Sequence, residues 1–271
     1  MKLHNQLEMP IVGLGTFRSK PEEAYIAVKT AIDAGYRHID TAAIYRNEEA
    51  VGKAVKDSKV KREDLFITTK VWNSDQGYEE TLKAFEVSLD KLGLEYVDLY
   101  LIHWFKGYDK SLSTYKALET LYKQGKVKAI GVCNYNIHHL QHLIDHVEIK
   151  PMVNQVETHV FLQNHKLQEY CVNNGIQLEA YAPLFSHNIK ETLENETLNL
   201  IAKKHNKSIP QIVIRWFIQR EIVVIPKSVT PSRIIQNFDV FGFELDDEDM
   251  NKIRKLNAAR KIFPEFDNVD F

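Results

Sequence analysis

Short apolar runs alternate along the chain with longer stretches whose apolar residues recur every three or four positions. The first pattern predicts buried strands and the second amphipathic helices. Strands are predicted over 12–17, 38–43, 65–72, 97–103, 127–134, 152–159, 176–184 and 222–228. Helices are predicted over 21–34, 47–58, 78–92, 111–124, 136–147, 163–174, 194–205, 209–219, 230–237 and 246–257. Proline stands in the first turn of the first of these helices, and Thr230-Pro231 supplies an N-cap followed by proline at the first helical position.

Eight strands, each followed by a helix, with no composition break or linker between them, predict an α/β fold with parallel pairing, closed as a (β/α)8 TIM barrel. Two helical patterns follow the seventh strand, so the barrel carries one extra helix before its seventh barrel helix, and a C-terminal helix follows the eighth repeat. A single domain over 1–271 is expected, and a chain of 271 residues suffices for one such barrel. An open doubly wound sheet is the rival topology. The Gly13 and Gly15 pair lacks the third glycine and the immediate helix of a dinucleotide fingerprint, and reads as a strand end.

A barrel of this kind carries its chemistry where strands run into loops, at the C-terminal face. The second strand ends in Asp40, with Tyr45 just beyond. The third gives Lys70, the fourth His103, the fifth Cys133 and Asn134, the sixth Gln155 and the seventh Tyr181. Asp40 is the anomaly, because a carboxylate inside an apolar strand costs several kcal/mol unless a cation or donors meet it. Alone it could cap a turn or pair with a structural arginine; Lys70 could be a solvated strand end, His103 a satisfied core histidine and Tyr45 a loop aromatic. Their joint arrival at one rim is the stronger observation.

Composition narrows the partners. Lys plus Arg (35) nearly balance Asp plus Glu (37), and no basic stripe with interleaved aromatics occurs, so a small molecule is expected as the partner and no nucleic acid. The first ten residues hold no apolar core of signal-peptide length and no later run approaches membrane-spanning length, which predicts a cytoplasmic protein with no membrane association. The two cysteines, Cys133 and Cys171, lie in different segments without ligand-type spacing, so neither a disulfide framework nor a metal site is expected. His138-His139 reads as a solvated helix start rather than a ligand pair.

Four stretches carry a family resemblance: Gly-Tyr-Arg-His-Ile-Asp-Thr-Ala-Ala-Ile-Tyr at 35–45, Leu-Ile-His-Trp at 101–104, Asn-Gln-Val-Glu at 154–157 and Ile-Pro-Lys-Ser-Val-Thr-Pro-Ser-Arg-Ile at 225–234. Together they resemble the aldo-keto reductase family over essentially the whole chain, and most of all its small bacterial members, the 2,5-diketogluconate, glyoxal and methylglyoxal reductases. The resemblance implies an NADP-dependent oxidoreductase that acts as a monomer on a small-molecule carbonyl substrate, and it lays the family's Asp, Tyr, Lys and His tetrad on Asp40, Tyr45, Lys70 and His103. Reduction of a carbonyl by a hydride leaves charge on oxygen, and a positioned acid must supply a proton. Tyr45 is the natural donor. An unperturbed tyrosine titrates at about 10, and the Lys70 cation is expected to lower that value, with Asp40 holding Lys70 charged and oriented. His103 would orient the carbonyl or relay a proton.

The resemblance also places a nicotinamide carboxamide against Cys133, Asn134 and Gln155, with its ring on Tyr181, and Asn237 toward the adenine. Lys227, Ser228 and Arg233 surround the start of the helix after the eighth strand, where free N–H groups favour phosphate. Two cations and a hydroxyl suit a 2′-phosphate, so NADPH is expected over NADH, with the Thr230 backbone N–H contributing. Phe17, Trp72, Trp104 and Phe105 would form an apolar substrate wall beside His103. Three positions depart from the family: Cys133 for a serine, which leaves Asn134 and Gln155 to fix the amide; Phe105 for a proline; and Arg46 for a glycine. Arg46 would attract an anionic substrate or point to water. The short tail after Asn257 predicts an open pocket of broad specificity. Two other readings stand beside this one: a cofactor-sensing module of the same fold without turnover, and an unrelated barrel that holds a substrate phosphate with Lys227, Ser228 and Arg233.

Overall fold

The computed structural model describes residues 1–263. Eight parallel strands follow one another in chain order: β1 Leu14–Gly15, β2 His38–Asp40, β3 Phe66–Val71, β4 Val97–Ile102, β5 Val127–Cys133, β6 Val153–Glu157, β7 Gln177–Tyr181 and β8 Val223–Val224. Single bridges from Val12 to Val224 and from Gly15 to Lys227 join the first strand to the last and close the barrel. A Cβ on Gly15 would stand 2.9 Å from the Ile225 carbonyl oxygen, so glycine there lets the two ends approach. The expected ends 12–17 and 222–228 shrink to two-residue strands because Pro226 has no N–H and the closing contacts are isolated bridges.

The helices pack outside the strands: α1 Pro21–Asp33, α2 Glu48–Asp57, α3 Tyr78–Leu92, α4 Tyr108–Lys123, α5 Ile137–His146 and α6 His165–Asn173. After β7 come α7 Ile189–Leu193, α8 Glu196–His205 and α9 Ile209–Gln219; α10 Pro231–Phe238 and α11 Asp247–Arg254 follow β8. The helix α7 was not legible, being five residues long with no full amphipathic repeat. Gly52 on α2 marks a close helix contact, since a Cβ on it would lie 1.9 Å from the Leu92 carbonyl oxygen at the end of α3.

His139 departs from the solvated helix start expected of it. It is buried at the third position of α5, its Nδ1 accepts the Asn136 N–H at 3.1 Å, and its ring stacks on Phe105 at 3.7 Å. The helix N-terminus thereby uses the imidazole as a cap and packs its face. The N-terminal segment is pinned to the start of β5, where Asn5 Nδ2 donates to the Lys128 carbonyl at 2.9 Å, and buries Leu3 and Met9. No helix of the described residues is long and apolar enough to cross a membrane.

Candidate active site

Inside the barrel, near the C-terminal ends of the strands, the apolar core gives way to a layer of charge. Lys70 on β3 is fully buried, and its Nζ donates to Asp40 Oδ1 at 2.6 Å and to the Thr41 carbonyl at 2.9 Å. Burial penalises the ammonium, but the Asp40 carboxylate beside it raises the lysine pKa; burial raises the Asp40 carboxyl as well, against the pull of the Lys70 cation and the hydrogen bonds from Lys70 and Gln155. The other Asp40 oxygen, Oδ2, accepts from Gln155 Nε2 at 2.8 Å. This answers the anomaly in the sequence: the strand carboxylate has a lysine partner and an amide donor.

Tyr45 comes from the loop after β2, on a single helical turn Ala43–Tyr45 that ends at Arg46. Arg46 takes the left-handed conformation, φ 56°, which is the reason glycine suits the position. Its side chain is exposed and does not line the cavity. The Tyr45 ring is half-buried, with Phe17 at 5.1 Å, His103 at 5.6 Å and Lys70 Nζ 5.3 Å from its centroid. Burial raises the phenol above its ordinary value, and the Lys70 ammonium, hydrogen-bonded to it, opposes that without overcoming it. The expected net lowering is thus reversed, because desolvation exceeds the pull of one already paired cation. His103 is likewise held neutral: burial first, then Lys70, push its pKa well below the usual imidazole range.

These groups meet at a cavity of about 550 Å³ whose lining includes Phe17, Tyr45, Trp72, His103, Trp104 and Tyr181. Cys133, Asn134, Gln155 and Lys227 line it too. Phe105 does not; it turns into packing against His139, Tyr135 and Tyr108. Asn134 and Gln155 are less free than expected. Asn134 Nδ2 donates to the His103 carbonyl at 3.1 Å while its Oδ1 accepts the Tyr181 hydroxyl at 2.8 Å. Gln155 commits its amide nitrogen to two carboxyl groups, Asp40 and Glu179 at 2.9 Å. Cys133 is buried, and burial drives its thiol well above the ordinary range.

Further out, Lys227 and Arg233 are exposed and Asn237 is buried on the same face of α10 as Ile234. The Thr230 N–H, expected to be available to a phosphate, donates instead to Ser228 Oγ at 3.1 Å. The rim is also less open than the short tail implied. Ile262 and Phe263 donate their backbone N–H groups to Glu157 at 2.7 and 3.1 Å, and the Phe263 ring meets Trp104 at 6.1 Å and Tyr181 at 5.8 Å. Glu157, the last residue of a buried strand, was legible only as part of a motif. Glu179, in the middle of β7, was missed because nothing in an apolar run distinguishes an inward carboxyl from an outward one.

The chain belongs to the aldo/keto reductase family, whose model matches residues 11–258. It is 55% identical over 272 residues to the glyoxal reductase of Bacillus subtilis (strain 168), covering 100% of this chain and 97% of that protein. Its structure superimposes with a TM-score of 0.99, at 68% identity and 100% coverage of both chains, on an aldo-keto reductase enzyme from a Medee basin deep-sea metagenome library. It also matches the Bombyx mori aldo-keto reductase in complex with NADP, at a TM-score of 0.92 and 35% identity over 98% of this chain and 95% of that one.

Proposed function

We propose that this protein reduces aldehydes, dicarbonyls or ketones to alcohols at the expense of NADPH, with Tyr45 as the proton donor. The observation that carries the reading is the buried Lys70–Asp40 pair, 2.6 Å apart, beneath a tyrosine and a neutral histidine that both face one cavity. The cavity fits a nicotinamide nucleotide on its own terms. Tyr181 offers a flat ring on the wall, Gln155 leaves its Oε1 to receive an amide N–H, and Lys227 with the N-terminus of α10 offers positive charge at the outer end. A nicotinamide held there by Tyr181 and Gln155 would supply the hydride for the carbonyl carbon.

The chain's own residues do the rest. Tyr45 donates its proton to the carbonyl oxygen as charge grows there. Lys70 stabilises the phenolate left behind, and Asp40 keeps Lys70 from turning away. Neutral His103 directs an N–H at the same oxygen, a role in orientation rather than in carrying charge, because burial beside Lys70 disfavours the imidazolium. Phe17, Trp72 and Trp104 exclude water from the reacting face. A glyoxal reductase among the relatives supports small dicarbonyls as substrates. The test is oxidation of NADPH by the purified protein with a panel of aldehydes and dicarbonyls that includes methylglyoxal, run beside Tyr45→Phe. Turnover that the substitution lowers by about 10²-fold or more is expected. Saturable NADPH binding with no turnover of any carbonyl would overturn the reductase and favour a cofactor-sensing module.

A further inference from the structure

We propose that Glu179 is a positioning residue that acts through Gln155, fixing which end of the Gln155 amide faces the cavity. The proposal rests on the reductase reading above. Glu179 is fully buried on β7, in register with Gln155 on β6 and with Val223 on β8. Gln155 Nε2 donates to Glu179 Oε2 at 2.9 Å and to Asp40 Oδ2 at 2.8 Å. An amide nitrogen has two hydrogens and accepts nothing, so both are committed. Turning the amide over would place its oxygen against the Asp40 carboxylate and give up the bond that Glu179 Oε2 accepts from Nε2. Its Oε1 is therefore the atom presented to the cavity, an acceptor for the N–H of a carboxamide.

With Asp40 alone the amide would have one anchor and freedom to turn; Glu179 supplies the second. The charge balance of the layer requires that this second anchor not compete for Lys70. The groups facing Glu179 are His38 and Asp40 from β2, Lys70 from β3 and Cys133 from β5, while β8 opposes it with valine. Lys70 is bound to Asp40, and among the described residues the one basic side chain paired with Glu179 is His38, which burial holds neutral. Glu179 Oε1 makes no hydrogen bond and stands 3.6 Å from His38 Nε2. Burial first, then Asp40, raise the Glu179 carboxyl to about 8, and burial lowers His38 to about 3. At neutral pH a neutral acid thus anchors Gln155 and leaves the cation to Asp40 and Tyr45.

The experiment compares wild type, Glu179→Gln and Glu179→Leu, each first shown to fold by near-UV circular dichroism. Glutamine retains an acceptor for Gln155; leucine removes it at similar volume. Affinity for NADP⁺, kcat and KM for methylglyoxal, and the pH profile from 6 to 9 are measured. Glu179→Leu is expected to weaken NADP⁺ binding and lower kcat by about tenfold each, the scale of one lost hydrogen bond, with substrate KM little changed. Glu179→Gln is expected to restore most of both, and to lack the fall in kcat expected of the wild type above pH 8 as the carboxyl ionises. Equal losses in the two variants, no loss in Glu179→Leu, or an unchanged alkaline limb in Glu179→Gln would overturn the proposal. A wild type without turnover would sink the reductase reading instead, and the NADP⁺ affinities of the two variants would still decide this one.

Discussion

Lys70 Nζ lies 2.6 Å from Asp40 Oδ1, and both side chains are almost wholly removed from solvent. A buried ion pair is a poor source of stability, because desolvating two charges offsets most of their attraction. Its presence in a barrel that could have been filled with leucine is better explained by what it faces. On the proposed reductase reading Tyr45 works against a fixed cation, and burial, which raises the tyrosine, would also disfavour the charge of a lysine without Asp40.

That asymmetry is measurable. Lys70→Met strands the Asp40 carboxylate and is expected to destabilise the protein by about 3–5 kcal/mol, with turnover lost. Adding Asp40→Leu removes the stranded charge and is expected to recover much of the stability and none of the activity. Urea unfolding of the three proteins at pH 7 checks it. A single variant as stable as wild type would mean that Asp40 is protonated and no ion pair exists.

The stability of the fold should also register Glu179 through pH. Its carboxyl is raised from 4.5 to about 8, so the folded state holds a proton that the unfolded chain releases. Stability from this group is complete below pH 4.5 and is lost as pH rises toward 8. His38, lowered from 6.5 to about 3, acts in the opposite sense and costs stability as pH falls below 6.5. The two overlap at acid pH, so the clean window is pH 6.5 to 8. There the wild type is expected to lose stability relative to Glu179→Gln, by about 1.4 kcal/mol per pH unit at most. Parallel denaturation midpoints for the two across that window would show that the carboxyl ionises normally.

The barrel was legible because parallel strands buried on both faces stand out as apolar runs, and an amphipathic helix follows each. The tetrad was legible for the opposite reason: Asp40, Lys70 and His103 are polar residues where apolar ones are expected, at strand ends. What failed to show was anything decided by which way a side chain turns. Phe105 and Trp104 are neighbours of like chemistry, yet one packs under α5 and the other lines the cavity. The direction of the Tyr45 shift was hidden because it depends on how much water the loop excludes, a tertiary quantity.

Glu157 holds the tail. Its carboxylate accepts the N–H groups of Ile262 and Phe263 as well as His159 Nε2 at 3.0 Å, and Arg260 adds an ion pair to Glu191 at 2.6 Å. Glu157→Gln leaves one oxygen for these donors. It is expected to speed tryptic cleavage after Lys261 and to raise KM for apolar aldehydes by about three- to tenfold with little change in kcat, as Phe263 loosens from Trp104. Phe263→Ala is expected to reproduce the KM effect without the same gain in cleavage. Unchanged cleavage in Glu157→Gln would mean that the tail is held elsewhere.

Substitution at the start of α10 can separate the two phosphate groups of the cofactor. Lys227 and Arg233 are exposed cations without a carboxylate partner among the described residues, flanking the first turn of an eight-residue helix. A pyrophosphate occurs in both NADH and NADPH, whereas a 2′-phosphate occurs only in NADPH. If the cations serve the 2′-phosphate, Lys227→Ala and Arg233→Ala should each weaken NADPH binding by about tenfold or more, the scale of a charge-assisted hydrogen bond, and leave NADH affinity nearly untouched. The preference should also shrink as salt rises, since both groups are solvated and screened. Titration of NADPH and NADH against intrinsic fluorescence at low and high ionic strength reads both effects. Equal losses for the two nucleotides would assign the cations to the pyrophosphate and remove the basis for NADPH selectivity at this helix.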